Sequence, residues 1–222
     1  MADARNRNNV LVGAPDVNAQ GGFQLGPKVT DTANYPTNAT DPLPPALGLK
    51  PSGFIGEDGI TKTVNRSTEK IRDWNRDTVI VVETEHDVTL KLTFLESANG
   101  NVLTYVYGED NIEVNGASIQ VADAAGELPH FTAAFDMKGG DGKKMRVFIP
   151  DGQVTSVGDV TFVKSDVIKY EVEIECFADK TGKKLYLFTD VPEGVAGVDT
   201  PAPSLDAQGG APGTVTDPAG TP

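Results

Sequence analysis

The sequence predicts a mainly β protein: a β-sandwich or half-barrel flanked by one α-helix, with a long loop and disordered ends. Three observations carry that expectation. Apolar–polar alternation recurs about every 8 to 15 residues, punctuated by Gly-, Asp- and Asn-rich turns. Only one stretch, Ser97–Tyr107, shows helical spacing. Hydrophobic content is 38%, low for 222 residues, while 24 Gly and 15 Pro gather toward the ends and leave a more ordinary middle. A core of about 170 residues buries about 70% of its unfolded surface and needs no staples.

Residues 1–20 are polar except for Val10-Leu11-Val12 and read as a flexible N-terminal arm. The β domain is placed at 21–191, opening with Gly21–Gly26. Residues 27–52 are rich in Thr, Asp, Asn and Pro, and Asp41-Pro42-Leu43-Pro44-Pro45 excludes a central strand. Loops of this length in compact domains are functional or mobile. A short apolar approach from Gly53, a Glu57-Asp58-Gly59 turn and the start of a strand follow. Thr78–Thr84 is β-branched and Val88–Phe94 alternates, so a hairpin is expected with Glu85-His86-Asp87 as its turn.

Ser97 is the expected cap of the flanking helix, with Val102, Leu103 and Val106 on one face, Tyr107 at its margin and Gly108 as the stop. A single short helix covers a sheet face or edge; it does not build a βαβ unit. Strands are then expected at Asn111–Val114 and Ala117–Val121 around Asn115-Gly116, at His130–Met137, Lys144–Pro150, Val160–Val163 and Lys169–Phe177, and at Leu185–Phe188. Turns fall at Gly139–Gly142, Pro150–Gly152 and Asp179–Gly182. Residues 192–222 contain no Lys, Arg or aromatic residue and read as a disordered tail.

The net charge of −13 argues against gripping nucleic acid by its phosphates, yet suits a surface that DNA passes without sticking. The single cysteine, Cys176, excludes an internal disulfide; it falls in phase with Tyr170, Val172 and Ile174 on an inward face. Met1–Arg7 has no apolar leader and no run approaches a membrane span, so a protein made and kept soluble inside a cell is expected.

Chemistry is sparse. Gly56–Thr63 is not a phosphate loop, because Thr61 stands where glycine should precede the lysine. His86 reads as a solvated turn residue, and His130 is far from it, so neither a metal site nor a cofactor is expected. No nucleophile stands beside a base, so no enzyme is expected. Glu171, Glu173 and Glu175 alternate along one strand and project from one face about 7 Å apart. They form either a solvated face with cross-strand Lys or Arg partners or an acidic lining that repels a polyanion.

Taken in order, several segments resemble the major tail (tail tube) proteins of long, flexible-tailed bacteriophages, particularly those of actinobacterial hosts. They are Gly53–Thr63, Arg66–Trp74, Asp77–Glu96 with its helix to Gly108, Phe148–Val154 and Tyr170–Phe177, and the likeness spans about 21–190. It implies a structural subunit. Six copies would close a ring through a shared inner β-barrel, and stacked rings would form a tube around the tape measure protein that later conducts DNA. The implied location is the virion tail after synthesis in the host cytoplasm, and the implied neighbours include tail tip and tail terminator proteins.

On that resemblance Pro27, Asp41, Pro44, Pro45 and Leu47 of the long loop would contact the adjacent ring, and loop and arm would gain order on assembly. The helix would pack outside the sheet, and Glu171, Glu173 and Glu175 would face the lumen. The polar arm and the Pro/Gly-rich tail depart from the family pattern, and no immunoglobulin-like C-terminal domain is visible. The alternatives are a phage decoration or receptor/carbohydrate-binding β-sandwich module, for which Trp74 alone is a poor aromatic platform, and a hydrolase using paired carboxylates.

Overall fold

The computed structural model describes residues 10–16, 22–139 and 142–190, which fold mainly as β-strands with one α-helix. The N-terminal strands are β1 (Ala14–Pro15), β2 (Phe23–Pro27), β3 (Lys50–Pro51), β4 (Thr61–Arg72) and β5 (Thr78–Phe94). After helix α1 (Gly100–Tyr107) come β6 (Ile112–Asn115), β7 (Ser118–Val121), β8 (Phe131–Lys138), β9 (Lys144–Val157), β10 (Tyr170–Cys176) and β11 (Tyr186–Asp190). One open antiparallel sheet runs β3-β2-β8-β9-β10-β5-β4, with β1 added to β8 and β11 to β9. Strands β6 and β7 form a separate hairpin.

Long β9 organises the sheet. Its first half pairs with β11 and its second half with β10, while β8 lies along the opposite edge. The sheet then curls strongly. Phe23 on β2 and Phe94 on β5 are four ladder steps apart, about 19 Å across a flat sheet, yet their rings meet at 5.9 Å. Residues Lys50–Ile55 span the mouth of this half-barrel without closing it. Ser52 N donates to Phe23 O at 3.0 Å on one side, and Leu95 N donates to Phe54 O at 3.0 Å on the other.

The concave interior is apolar because each strand alternates. Val88, Leu90, Leu92 and Phe94 of β5 and Tyr170, Val172, Ile174 and Cys176 of β10 all turn inward. Helix α1 packs on this interior through Val102, Leu103, Tyr105 and Val106, with the Tyr105 and Phe131 rings 5.0 Å apart. The cap is Asn99 and not Ser97. Asn99 has the extended backbone a cap needs, and its side chain accepts from Asn101 N, so the helix starts two residues later. Gly108, at φ 94°, ends it.

Three further expectations are corrected. Thr78–Thr84 and Val88–Phe94 are one strand, β5, and Glu85-His86-Asp87 is not a turn. These polar residues pair with Asn65-Arg66-Ser67 of β4, and the hairpin turns instead at Asp73–Asp77. The triplet lacks Gly, Pro or Asn, so nothing breaks the ladder; a bulge opposite Ser67 and Thr68 absorbs the extra residue. Likewise β9 runs through Pro150-Asp151-Gly152, because Pro150 falls at a β8–β9 register irregularity where Thr132 Oγ1 donates to Pro150 O at 2.9 Å. Val160–Val163 is not a strand, and Phe162 and Val163 are exposed.

The long loop is folded down. It contains two short 3-10 turns, at Thr32–Asn34 and Pro45–Leu47. Leu47 is fully buried against Ala134 and Phe148, with Val29, Tyr35, Leu43 and Leu49 around them, forming a second core on the convex face of the sheet. Within the N-terminal arm, Ala14–Pro15 pairs with β8. Residues 1–9 and 17–21 and the tail at 192–222 lie outside the described residues.

Candidate assembly surfaces

Three surfaces offer themselves for interaction. The first is the outward face of β10 and β5. Glu171, Glu173 and Glu175 stand on it, opposite Thr93, Lys91 and Thr89. Lys91 pairs with Glu171, and Lys184 lies 3.3 Å from Asp87 and 3.9 Å from Glu175. Thr61 and Thr63 of β4 continue the face beyond β5. The hydrogen bond from Lys91, then its charge, lowers the Glu171 carboxyl and raises Lys91 in turn. Burial, then the Asp87 charge, raises Glu175. At these positions the surface is polar and acidic, four carboxylates against two ammoniums, with no large apolar side chain among them.

The second surface is the loop that covers the convex side. Arg146 Nε and Nη2 donate to the two Asp136 oxygens at 2.6 and 2.9 Å, and Nη1 donates to Asn38 O and Asp41 O at 3.2 and 2.8 Å. Asp190 accepts from Ala39 N at 2.8 Å and from the Thr40 hydroxyl. The Tyr35 ring packs at a tilt against Phe148, with ring centres 4.8 Å apart. Beside this loop lies a groove of about 600 Å³ lined by Asp41, Pro44 and Pro45 on one wall and Met137, Met145 and Arg146 on the other. Pro27, Asp41 and Pro45 are exposed and Pro44 half-buried, whereas Leu47 is sealed in the core.

The third surface was not legible as a site in the sequence. Beyond Val88, the β4–β5 hairpin leaves the body as a two-stranded ribbon exposed on both faces. Ile71, Val79, Ile80, Val81 and Val82 are all more than two-fifths exposed, and Trp74 at the tip is 98% exposed. The one available signal was Asp73–Asp77, a polar, Asn-containing turn between two alternating runs.

Elsewhere the chemistry is structural. Cys176 is fully buried, and burial, then the Glu175 charge, pushes its thiol up to about 12. His130 Nδ1 lies 2.6 Å from Asp151 Oδ1, and Lys28 Nζ lies 2.6 Å from Asp151 Oδ2. Arg66 Nη2 is 3.5 Å from His86 Nε2. Among the described residues no three His, Cys, Asp or Glu side chains converge as metal ligands.

Comparison with known proteins adds one strong finding. A family described as "Phage tail tube protein" matches residues 17–193. No curated protein matches. Among solved structures, the tube–sheath complex of an extracellular contractile injection system in its extended state aligns with TM-score 0.40 and 8% identity, covering 76% of this chain and 89% of that one. The tube-terminating cap of an anti-feeding prophage aligns with TM-score 0.42 and 10% identity, covering 86% of this chain and 100% of that one.

Proposed function

Because the chain belongs to the phage tail tube protein family, we propose that it is the repeating subunit of a hollow tail tube, six copies to a ring and rings stacked along the axis. The observation that carries this reading is the sheet's division into two unlike faces. One is apolar and sealed by α1. The other, on β10, β5 and β4, presents Glu, Thr and Lys. A sheet with one solvated face and free edges suits the wall of a water-filled barrel, with each subunit's edge strands paired to its neighbours'. Excess negative charge on that wall repels phosphates, so DNA passes without adhering. Stacking is head-to-tail, a heterologous contact that grows into a filament.

In this reading the tube encloses the tape measure protein and ends at tail tip and terminator proteins. The long loop, held against the sheet, presents Asp41, Pro44 and Pro45 to the next ring; Leu47 supports it from below. Native mass spectrometry of the purified protein under mild conditions tests ring closure. Six-subunit species and their multiples support it, and a stable trimer would move the reading to a decoration or receptor-binding module.

A further inference from the structure

We propose that Asn115 is a self-modification site. In the folded protein its side-chain amide converts through a cyclic imide to aspartate and isoaspartate, while Asn99 of the other Asn-Gly pair is protected. The inference goes beyond the tail tube reading and does not depend on it.

The sequence contains two Asn-Gly pairs, Asn99-Gly100 and Asn115-Gly116. Reaction at such a pair needs the glycine nitrogen to reach the asparagine Cγ. The side chain must be free to turn toward it, and the backbone must flex to close the ring. Glycine is the most permissive successor, because it has no Cβ to obstruct the approach.

The hairpin meets these needs. Asn115 pairs with Ser118, so Gly116 and Ala117 alone form the turn and the Gly116 N–H lies outside the ladder. Asn115 and Gly116 are exposed. Gly116 takes φ 63°, and the space where a Cβ would stand on it is open. Strands β6 and β7 join no larger sheet. A lone two-stranded hairpin is marginal, so its turn opens at little cost.

The helix cap denies them. Asn99 Oδ1 accepts from Asn101 N at 3.0 Å, and Asn99 Nδ2 donates to Glu96 Oε2 at 3.0 Å. Gly100 opens α1, which Val102 and Leu103 hold in the core. Ring closure at Asn99 would require the cap to break and the first helical turn to unwind.

The chemistry balances with water as the one co-reactant. Gly116 N loses its proton to solvent and bonds to Asn115 Cγ; the Cγ–Nδ2 bond breaks and ammonia leaves. Water then opens the imide. Attack at Cγ gives aspartate, and attack at the main-chain carbonyl carbon gives isoaspartate, whose backbone runs through the former side chain. Either product adds a carboxylate on the same face of β6 as Glu113, in a chain already at −13. Isoaspartate also lengthens the turn, which disturbs the pairing that sets Ile112 and Ile119 against the core.

The test is to age the purified full-length protein in heavy-oxygen water at neutral and mildly alkaline pH. Peptide mapping by mass spectrometry, with aspartyl and isoaspartyl forms separated, reads the product at each site. The proposal expects the Asn115 peptide to take up oxygen from water, to appear in both forms and to form faster at the higher pH. It should accumulate at least about tenfold faster than the Asn99 product. In urea, where the cap is gone, the two sites should convert at similar rates. Asn115→Gln should abolish the product at this position with far-UV circular dichroism unchanged, because its imide ring would be larger and slower to close. Equal rates at the two sites in the folded protein, or an Asn115 product without isoaspartate, would overturn the proposal. So would a preference for Asn115 that persists unchanged in urea.

Discussion

Arg146 holds Asp136 through two parallel hydrogen bonds of 2.6 and 2.9 Å, and both residues are more than nine-tenths buried. The remaining guanidinium nitrogen binds two carbonyls of the long loop, Asn38 O and Asp41 O. One side chain thus links the sheet to the segment that covers it, through the planar fork that only arginine supplies. The loop is held against the sheet in the single chain at this contact.

Removing that link should therefore cost more than one exposed ion pair. Arg146→Met leaves a buried carboxylate without its partner, a loss of about 3–5 kcal/mol. Arg146→Met with Asp136→Leu should recover most of it. Urea unfolding of the two variants measures the difference, and limited proteolysis should cut between residues 28 and 49 in the single variant first.

The second core makes a separate demand. Leu47→Ala empties a fully buried site against Phe148 and Ala134 and should destabilise the fold by about 2–5 kcal/mol. Pro45→Ala, on the exposed shoulder of the same turn, should leave thermal stability nearly unchanged. If this shoulder meets the next ring, Pro45→Ala should alter tube length or yield without altering the melting curve.

The start of the helix was half legible. Val102, Leu103 and Val106 could be placed on the buried face by their spacing alone, because side chains three and four apart share a helix face. Ser97 and Asn99 are equally good cap types, and sequence cannot say which adopts the extended backbone. Asn99→Ala should cost about 1 kcal/mol and Ser97→Ala much less, read from thermal unfolding.

The same contrast runs through the sheet. Strict alternation in Val88–Phe94 and Tyr170–Cys176 revealed both strands and their inward faces. Glu85-His86-Asp87 misled because polarity resembles a turn, while its ladder partners lie 20 residues away on β4. Pro150 and Gly152 misled because a bulge in a long strand uses turn residues too. The ribbon's exposure was hidden for a different reason: a run of β-branched residues looks like core until the fold shows that nothing covers it.

Acid should expose one turn. Burial disfavours the Asp179 carboxylate, but hydrogen bonds from Tyr186, Lys183 and Thr181 outweigh it and hold the group at about 2, below its usual 3.8. The folded form then binds fewer protons than the unfolded chain, so this contribution is present above pH 3.8 and lost as pH falls toward about 2. Asp179→Asn should be less stable than wild type at neutral pH, and the gap should narrow across that window in pH-dependent unfolding.

The central claim is that the glutamate-bearing sheet face lines a tube. A cryo-electron microscopy reconstruction of the assembled protein tests it most directly. The account predicts a hollow, six-fold tube with Glu171, Glu173 and Glu175 on the inner wall and α1 outside the sheet. A tube carrying those glutamates on its outer wall, or a closed particle without an axial channel, would contradict it.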